Sequence, residues 1–122
     1  MALADADRIA AARAYVDALV SHDASAVRVT SDCTRIELGV TTGRNGDHII
    51  RSLERGPQFR LIHHISDFAA TVIGHTVQTT YYVHVHPKPL GLAARVVESF
   101  EVDDAGAITA IVARFSMPRR KA

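Results

Sequence analysis

The chain has 122 residues, 48% of them apolar and 22% charged, with a formal net charge of +1. Such a composition describes one globular domain over residues 1–122 with enough apolar mass for a single core. The near-zero charge argues against bulk attraction to nucleic acid or to an anionic membrane surface. No apolar run reaches transmembrane length, and the single Cys33 leaves no intramolecular disulfide and no thiolate metal cage. The opening "MALADADRIA" has no basic region followed by an apolar run, so a cytoplasmic location is expected. The Ala- and Arg-rich wording suggests a GC-rich bacterial genome. The basic run Arg119, Arg120, Lys121 reads as a solvated tail.

In chain order, Asp5 to Val20 predicts an amphipathic helix. Ile9, Ala12, Val16 and Leu19 recur at helical spacing, and Asp5 or Asp7 can cap its start. "SHDASAV" breaks this helix and can begin a short second one. "CTRIELGV" predicts a strand and "TGRNG" a loop. "GDHIIRSLERGP" predicts a short helix with Asp47 as cap, Ile49, Ile50 and Leu53 as buried stripe, and Gly56-Pro57 as stop. From Phe59 onward the pattern is that of strands: "FRLIHHISDF", "ATVIG", "TVQTTYYVHVH", "LAARVVESFEV" and "AITAIVARFS". "DDAG" between the last two marks a hairpin. Helices followed by serial strands predict an α+β fold, a cone-shaped curved antiparallel sheet wrapped around the N-terminal helices. The mouth of such a cone can hold a small molecule.

One residue breaks the pattern of its strand. In "RVVESFEV", side chains alternate between faces, so Val96, Glu98, Phe100 and Val102 share one row. A carboxyl in the middle of an apolar row loses its water, so its pKa is expected above the ordinary Glu value of about 4.3. Glu37 in "TRIELG" shares a face with Arg35, which by itself reads equally as a solvated strand face. Tyr15 lies beside the apolar stripe of the first helix and can simply bury its ring. His84 and His86 share a strand face, and His63-His64 lie on the strand before. Without a defined third ligand, no metal site is expected.

Taken together, "AYVDALVSHDASAV", "TRIELGVTTGRNG" and "ESFEVDDAGAITAIVARF" resemble, in that order, the nuclear transport factor 2-like superfamily, which includes the SnoaL-like cyclases. Within it the chain is most similar to bacterial ketosteroid isomerase, from about Ile9 to Phe115. The resemblance implies a site in which a Tyr and a protonated acid form an oxyanion hole and a second acid shuttles a proton α to a carbonyl. It places Tyr15 and Glu98 in the first two roles and Glu37 in the third. Both acids are aspartates in that family and glutamates here, and Glu54 stands where the family has a supporting Tyr. Other branches fit fewer residues: the cyclases resemble the fold but use an acid on the last strand, where "AITAIVARFS" has none. The epoxide hydrolases of the superfamily use an Arg-x-Asp pair on the strand that here carries Glu98 and Glu101 without the Arg.

The expected catalytic residues are therefore Tyr15, Glu37 and Glu98, with Tyr82, Val96, Phe100, Ile111 and Phe115 lining a pocket for a steroid or other cyclic ketone. That chemistry needs no metal and no organic cofactor. The resemblance also implies a homodimer through the outer sheet face, on which Val83 and Val97 are expected. The alternative function is a non-catalytic small-molecule-binding or dimerisation module of the SnoaL-like type.

Overall fold

A computed structural model of the chain describes residues 2–121. The long helix α1 spans Asp5–Ser21. Alanines supply its propensity, and Ala12, Tyr15, Val16 and Leu19 are among the residues it buries. Among the described residues no side chain caps its start. Ala4 occupies that position, and Asp5 and Asp7 lie in the first turn, where a negative charge favours the helix dipole. Arg8 is also buried. Its guanidinium donates to the backbone carbonyls of Val102 and Asp103 and to the Asp104 carboxylate, tying α1 to the turn between the last two long strands. "SHDASAV" forms a turn rather than a second helix.

The strands β1 (Val29–Glu37) and β2 (Val40–Gly43) form a hairpin through Leu38 and Gly39, both at positive φ. The next helix, α2, covers Gly46–Arg55. Its cap is Asn45, whose side chain accepts from the His48 N–H at 2.9 Å, so the expected cap Asp47 sits one step inside the first turn. A single turn, α3 (Pro57–Arg60), then buries Phe59. The strand expected from Phe59 starts at Ile62 instead.

The long strands are β3 (Ile62–Ile73), β4 (Thr76–Val85), β5 (Leu92–Val102) and β6 (Ile108–Phe115), with a two-residue β7 (Arg119–Arg120) pairing with β5. "FRLIHHISDF" and "ATVIG" merge into the single strand β3, whose bulge near Asp67 (φ 56°) absorbs the interruption. The sheet order is β2-β1-β6-β5-β4-β3. Every pair is antiparallel except β1 with β6, which run parallel. This is the expected α+β architecture, with α1 packed across the sheet against β3, β4 and β5.

Register sets which side chains face the helices. In β5, Ala94, Val96, Glu98, Phe100 and Val102 are buried, while Arg95, Val97 and Glu101 are exposed. In β4 the inward row is Val77, Thr79, Tyr81 and Val83. Val83 is thus buried and faces inward, which corrects its expected place on the outer face; Val97 is exposed there. Among the described residues no helix is long and apolar enough to cross a membrane.

Candidate functional site

Between α1, α3 and the inner sheet face lies a cavity of about 340 Å³. Its deep end is polar. Tyr15 reaches it from α1, Glu37 from the end of β1, Tyr81 from β4 and Glu98 from the middle of β5. Its walls include Phe59, Val83, Ala94 and Val96. Its mouth is apolar and open to solvent at Leu38, Leu61, Phe115 and Met117.

Glu98 is 3% exposed, and its Oε1 accepts a hydrogen bond from the Tyr81 hydroxyl. Burial pushes its carboxyl up from 4.5 to about 8. The Tyr81 hydrogen bond opposes this shift, the Glu37 charge adds to it, and the Arg35 charge opposes it. At neutral pH Glu98 is therefore mostly protonated. A protonated carboxyl can accept from Tyr81 and still donate its own proton. Among the described residues Glu98 has no salt-bridge partner.

Arg35 is wholly buried behind the site and does not line the cavity. It is held by three donated bonds: Nε to Thr42 Oγ1 at 3.0 Å, one terminal nitrogen to the Thr42 carbonyl at 3.1 Å, and the other to the Tyr15 hydroxyl at 3.2 Å. Its Nε lies 3.8 Å from Glu37 Oε1, and its guanidinium carbon sits 5.1 Å from the centre of the Phe59 ring. Gly43 makes room for it, because a Cβ there would stand 2.9 Å from Arg35 Cβ. Burial, with Glu98 next, raises the pKa of Tyr15 above its ordinary value. Burial raises that of Tyr81 as well, again with Glu98 next. Both phenols remain O–H donors throughout the neutral range.

The structure brings Tyr15, Glu37 and Glu98 together at one cavity, and Val96 and Phe115 line it. Phe100 stacks edge-on against Tyr15 at 5.3 Å between ring centres, and Ile111 is buried in the core; neither forms part of the cavity wall. Tyr82 points away from the cavity, with the Lys121 ammonium 4.7 Å from its ring centre. The inward tyrosine of the pair is Tyr81, because Tyr81 lies opposite Val96 while Tyr82 lies opposite Arg95.

Sequence reasoning left two site residues without roles, Tyr81 and Arg35. A signal for Tyr81 exists in "TVQTTYYVHV": Val77, Tyr81, Val83 and Val85 share its parity, whereas Gln78, Thr80 and His84 share that of Tyr82. His63, His64, His84 and His86 cluster away from the cavity, with ring centres 4.9 Å (His63 to His86) and 5.0 Å (His64 to His84) apart. Among the described residues no group of three or more His, Cys, Asp or Glu side chains is placed to hold a metal ion.

Solved structures reproduce this architecture. The chain is similar to an LEH-like epoxide hydrolase of M. tuberculosis, at 24% identity over 91% of this chain and 84% of that one, with a TM-score of 0.71. It is similar to an NTF2-like protein of Burkholderia xenovorans, at 19% identity over 97% and 89%, with a TM-score of 0.69. A SnoaL-like protein of Burkholderia thailandensis matches at 14% identity over 96% and 100%, also with a TM-score of 0.69. At such identities the likeness shows the fold alone, and that fold is the NTF2-like, SnoaL-like α+β cone. No curated protein matches the chain. A family model does match, over residues 2–115, and by that match the chain belongs to the family described as "Domain of unknown function (DUF8021)".

Proposed function

We propose that the cavity binds a small hydrophobic carbonyl compound, a steroid or other cyclic ketone, and moves a proton next to its carbonyl as ketosteroid isomerase does. The ligand's oxygen sits at the deep end, where Tyr15 and neutral Glu98 each donate a hydrogen bond to it. Glu37 removes the α proton, and the electrons of the broken C–H bond pass to the oxygen to give an enolate. Glu37 then returns the proton to the same carbon or to one conjugated with it. A donor of this kind contributes about 3 kcal/mol when charge develops on the oxygen it faces. The observation that carries the reading is Glu98: a carboxyl buried between Val96 and Phe100 on its strand face, whose burial favours the neutral form, at the polar end of a cavity whose other walls are largely apolar.

The second reading is a binding module without turnover. It is favoured by the 3.8 Å approach of Glu37 to Arg35, because a buried guanidinium needs a counter-ion and Glu37 is the nearest carboxylate. Deuterium incorporation into cyclohexenones and steroid enones in D₂O, followed by NMR, separates the two. Catalysed exchange that is lost in Glu37→Gln while ligand affinity stays intact supports the isomerase. Binding without exchange in the unaltered protein supports the module. The chain is further proposed to form a homodimer through the outer sheet face around Val97; a monomer by light scattering at high concentration refutes that assembly.

A further inference from the structure

Arg35 has no role in the reaction as written, yet it is the largest wholly buried side chain among the described residues. Burying a guanidinium costs several kcal/mol unless its bonds are well made. A fold needing only bulk at this point of β1 would be served by an aliphatic residue. The bonds Arg35 makes show what it accomplishes. Two go to Thr42 and fix the guanidinium plane. The third goes to the hydroxyl oxygen of Tyr15. A guanidinium can only donate, so at this contact the Tyr15 oxygen can only accept. The Tyr15 proton is left free for another acceptor, and Tyr15 lies on the cavity wall while Arg35 does not.

The other half of the deep end has the same form. Tyr81, itself on the cavity wall, donates to Glu98 Oε1, which leaves the proton of neutral Glu98 for the ligand. Two donors thus face the cavity, each with a second donor bonded to its oxygen. Such chained bonds polarise one another in the same direction.

We infer that Arg35 is a positioning residue that acts through Tyr15, holding the hydroxyl as a donor aimed at the ligand's oxygen. This inference rests on the site reading proposed above but not on turnover. It assigns Arg35 an effect on any ligand that accepts a hydrogen bond there, and none on a ligand of the same shape that does not.

The test is a double-mutant cycle between Arg35→Met and Tyr15→Phe, read by fluorescence binding of 2-naphthol and of naphthalene near pH 7. Methionine fills much of the arginine's volume and donates nothing. Arg35→Met is expected to weaken 2-naphthol about tenfold and to leave naphthalene within about twofold, the size of one charge-assisted hydrogen bond. Tyr15→Phe is expected to lose at least as much for 2-naphthol. The double variant should bind no worse than Tyr15→Phe, because Arg35 then has nothing left to orient. Arg35→Lys keeps a donor and should recover part of the affinity; it also serves in the cycle where the Met variant does not fold.

Additive losses would show that Arg35 acts elsewhere and would overturn the inference. So would parallel losses for both probes, which would mean a collapsed cavity, or unchanged 2-naphthol binding in Arg35→Met. A natural protein with no preference for 2-naphthol over naphthalene would overturn this inference and the donor half of the site reading together. Failure of deuterium exchange alone would sink the isomerase reading and leave the cycle's result standing.

Discussion

Glu98→Gln isolates the energetic consequence of a buried carboxyl. In the unfolded chain Glu98 ionises at about 4.5, and in the folded protein at about 8. The folded pKa is raised, so between these values the native state holds a proton that the unfolded state has released. The stability associated with this group is therefore full below about pH 4.5, falls as pH rises through the window, and levels off above about 8. Each pKa unit corresponds to about 1.4 kcal/mol, so at pH 7 the shift corresponds to roughly 3 kcal/mol of lost stability.

Glutamine has nearly the same shape and never ionises. Its carbonyl can accept from Tyr81 and its amide can donate into the cavity. Glu98→Gln should therefore be more stable than the natural protein by about 1–3 kcal/mol at pH 7, and by little at pH 4.5. With an unfolding entropy of about 2.1 cal/mol/K per residue, that gain raises Tm by roughly 4–12 °C. Thermal unfolding of both proteins from pH 4 to pH 9 gives the difference directly. A difference that does not change with pH, or a glutamine variant less stable at every pH, would falsify the claim that Glu98 is folded as a neutral acid.

Tyr81→Phe removes the hydrogen bond that favours the Glu98 carboxylate, so Glu98 should titrate higher still, as followed by carboxyl-carbon NMR; a downward move would contradict the assigned bond. Gly43→Ala would bring a Cβ to 2.5 Å from Ile49 Cγ1 and 2.9 Å from Arg35 Cβ. It should cost about 1–3 kcal/mol in urea unfolding and weaken 2-naphthol more than naphthalene. Asn45→Ala removes the cap of α2 and should cost about 1 kcal/mol with no change in ligand binding. Unchanged stability in Asn45→Ala would show that the side-chain bond to His48 N–H contributes little.

Glu98 is legible in the sequence because β5 alternates cleanly, and a carboxyl in the apolar row has no innocuous place to go. Arg35 is hidden for the opposite reason. On β1 the inward face carries Cys33, Arg35 and Glu37, while the apolar Ile36 lies half-buried on the opposite face, so the usual rule of apolar inside is inverted where the polar end of the cavity is built. The Tyr82 and Val83 placements fail together. Both follow from reading β4 one residue out of phase, and in a strand a single step exchanges the two faces. The α2 cap moved from Asp47 to Asn45 because Asx side chains compete for the same N–H groups, and only the backbone geometry decides between them. The fold itself depends on none of these single choices. It follows from long strand-forming runs in series after one long helix.

The strand order also dictates when the site can exist. Glu37 lies on β1 and Glu98 on β5, and the strand that sits between them is β6, the last long strand of the chain. Its Ala113 lies opposite both, paired in parallel with Glu37 and in antiparallel with Glu98. As the chain leaves the ribosome, both acids emerge before the element that brings them side by side. A nascent chain reaching only residue 102 would carry every proposed catalytic group and have no site. Ligand present during synthesis could therefore not guide the early steps of folding and could act only once the closing strand has docked. Sequence-distant pairing of this kind is slow to form, because loop-closure entropy is lost before any contact compensates for it.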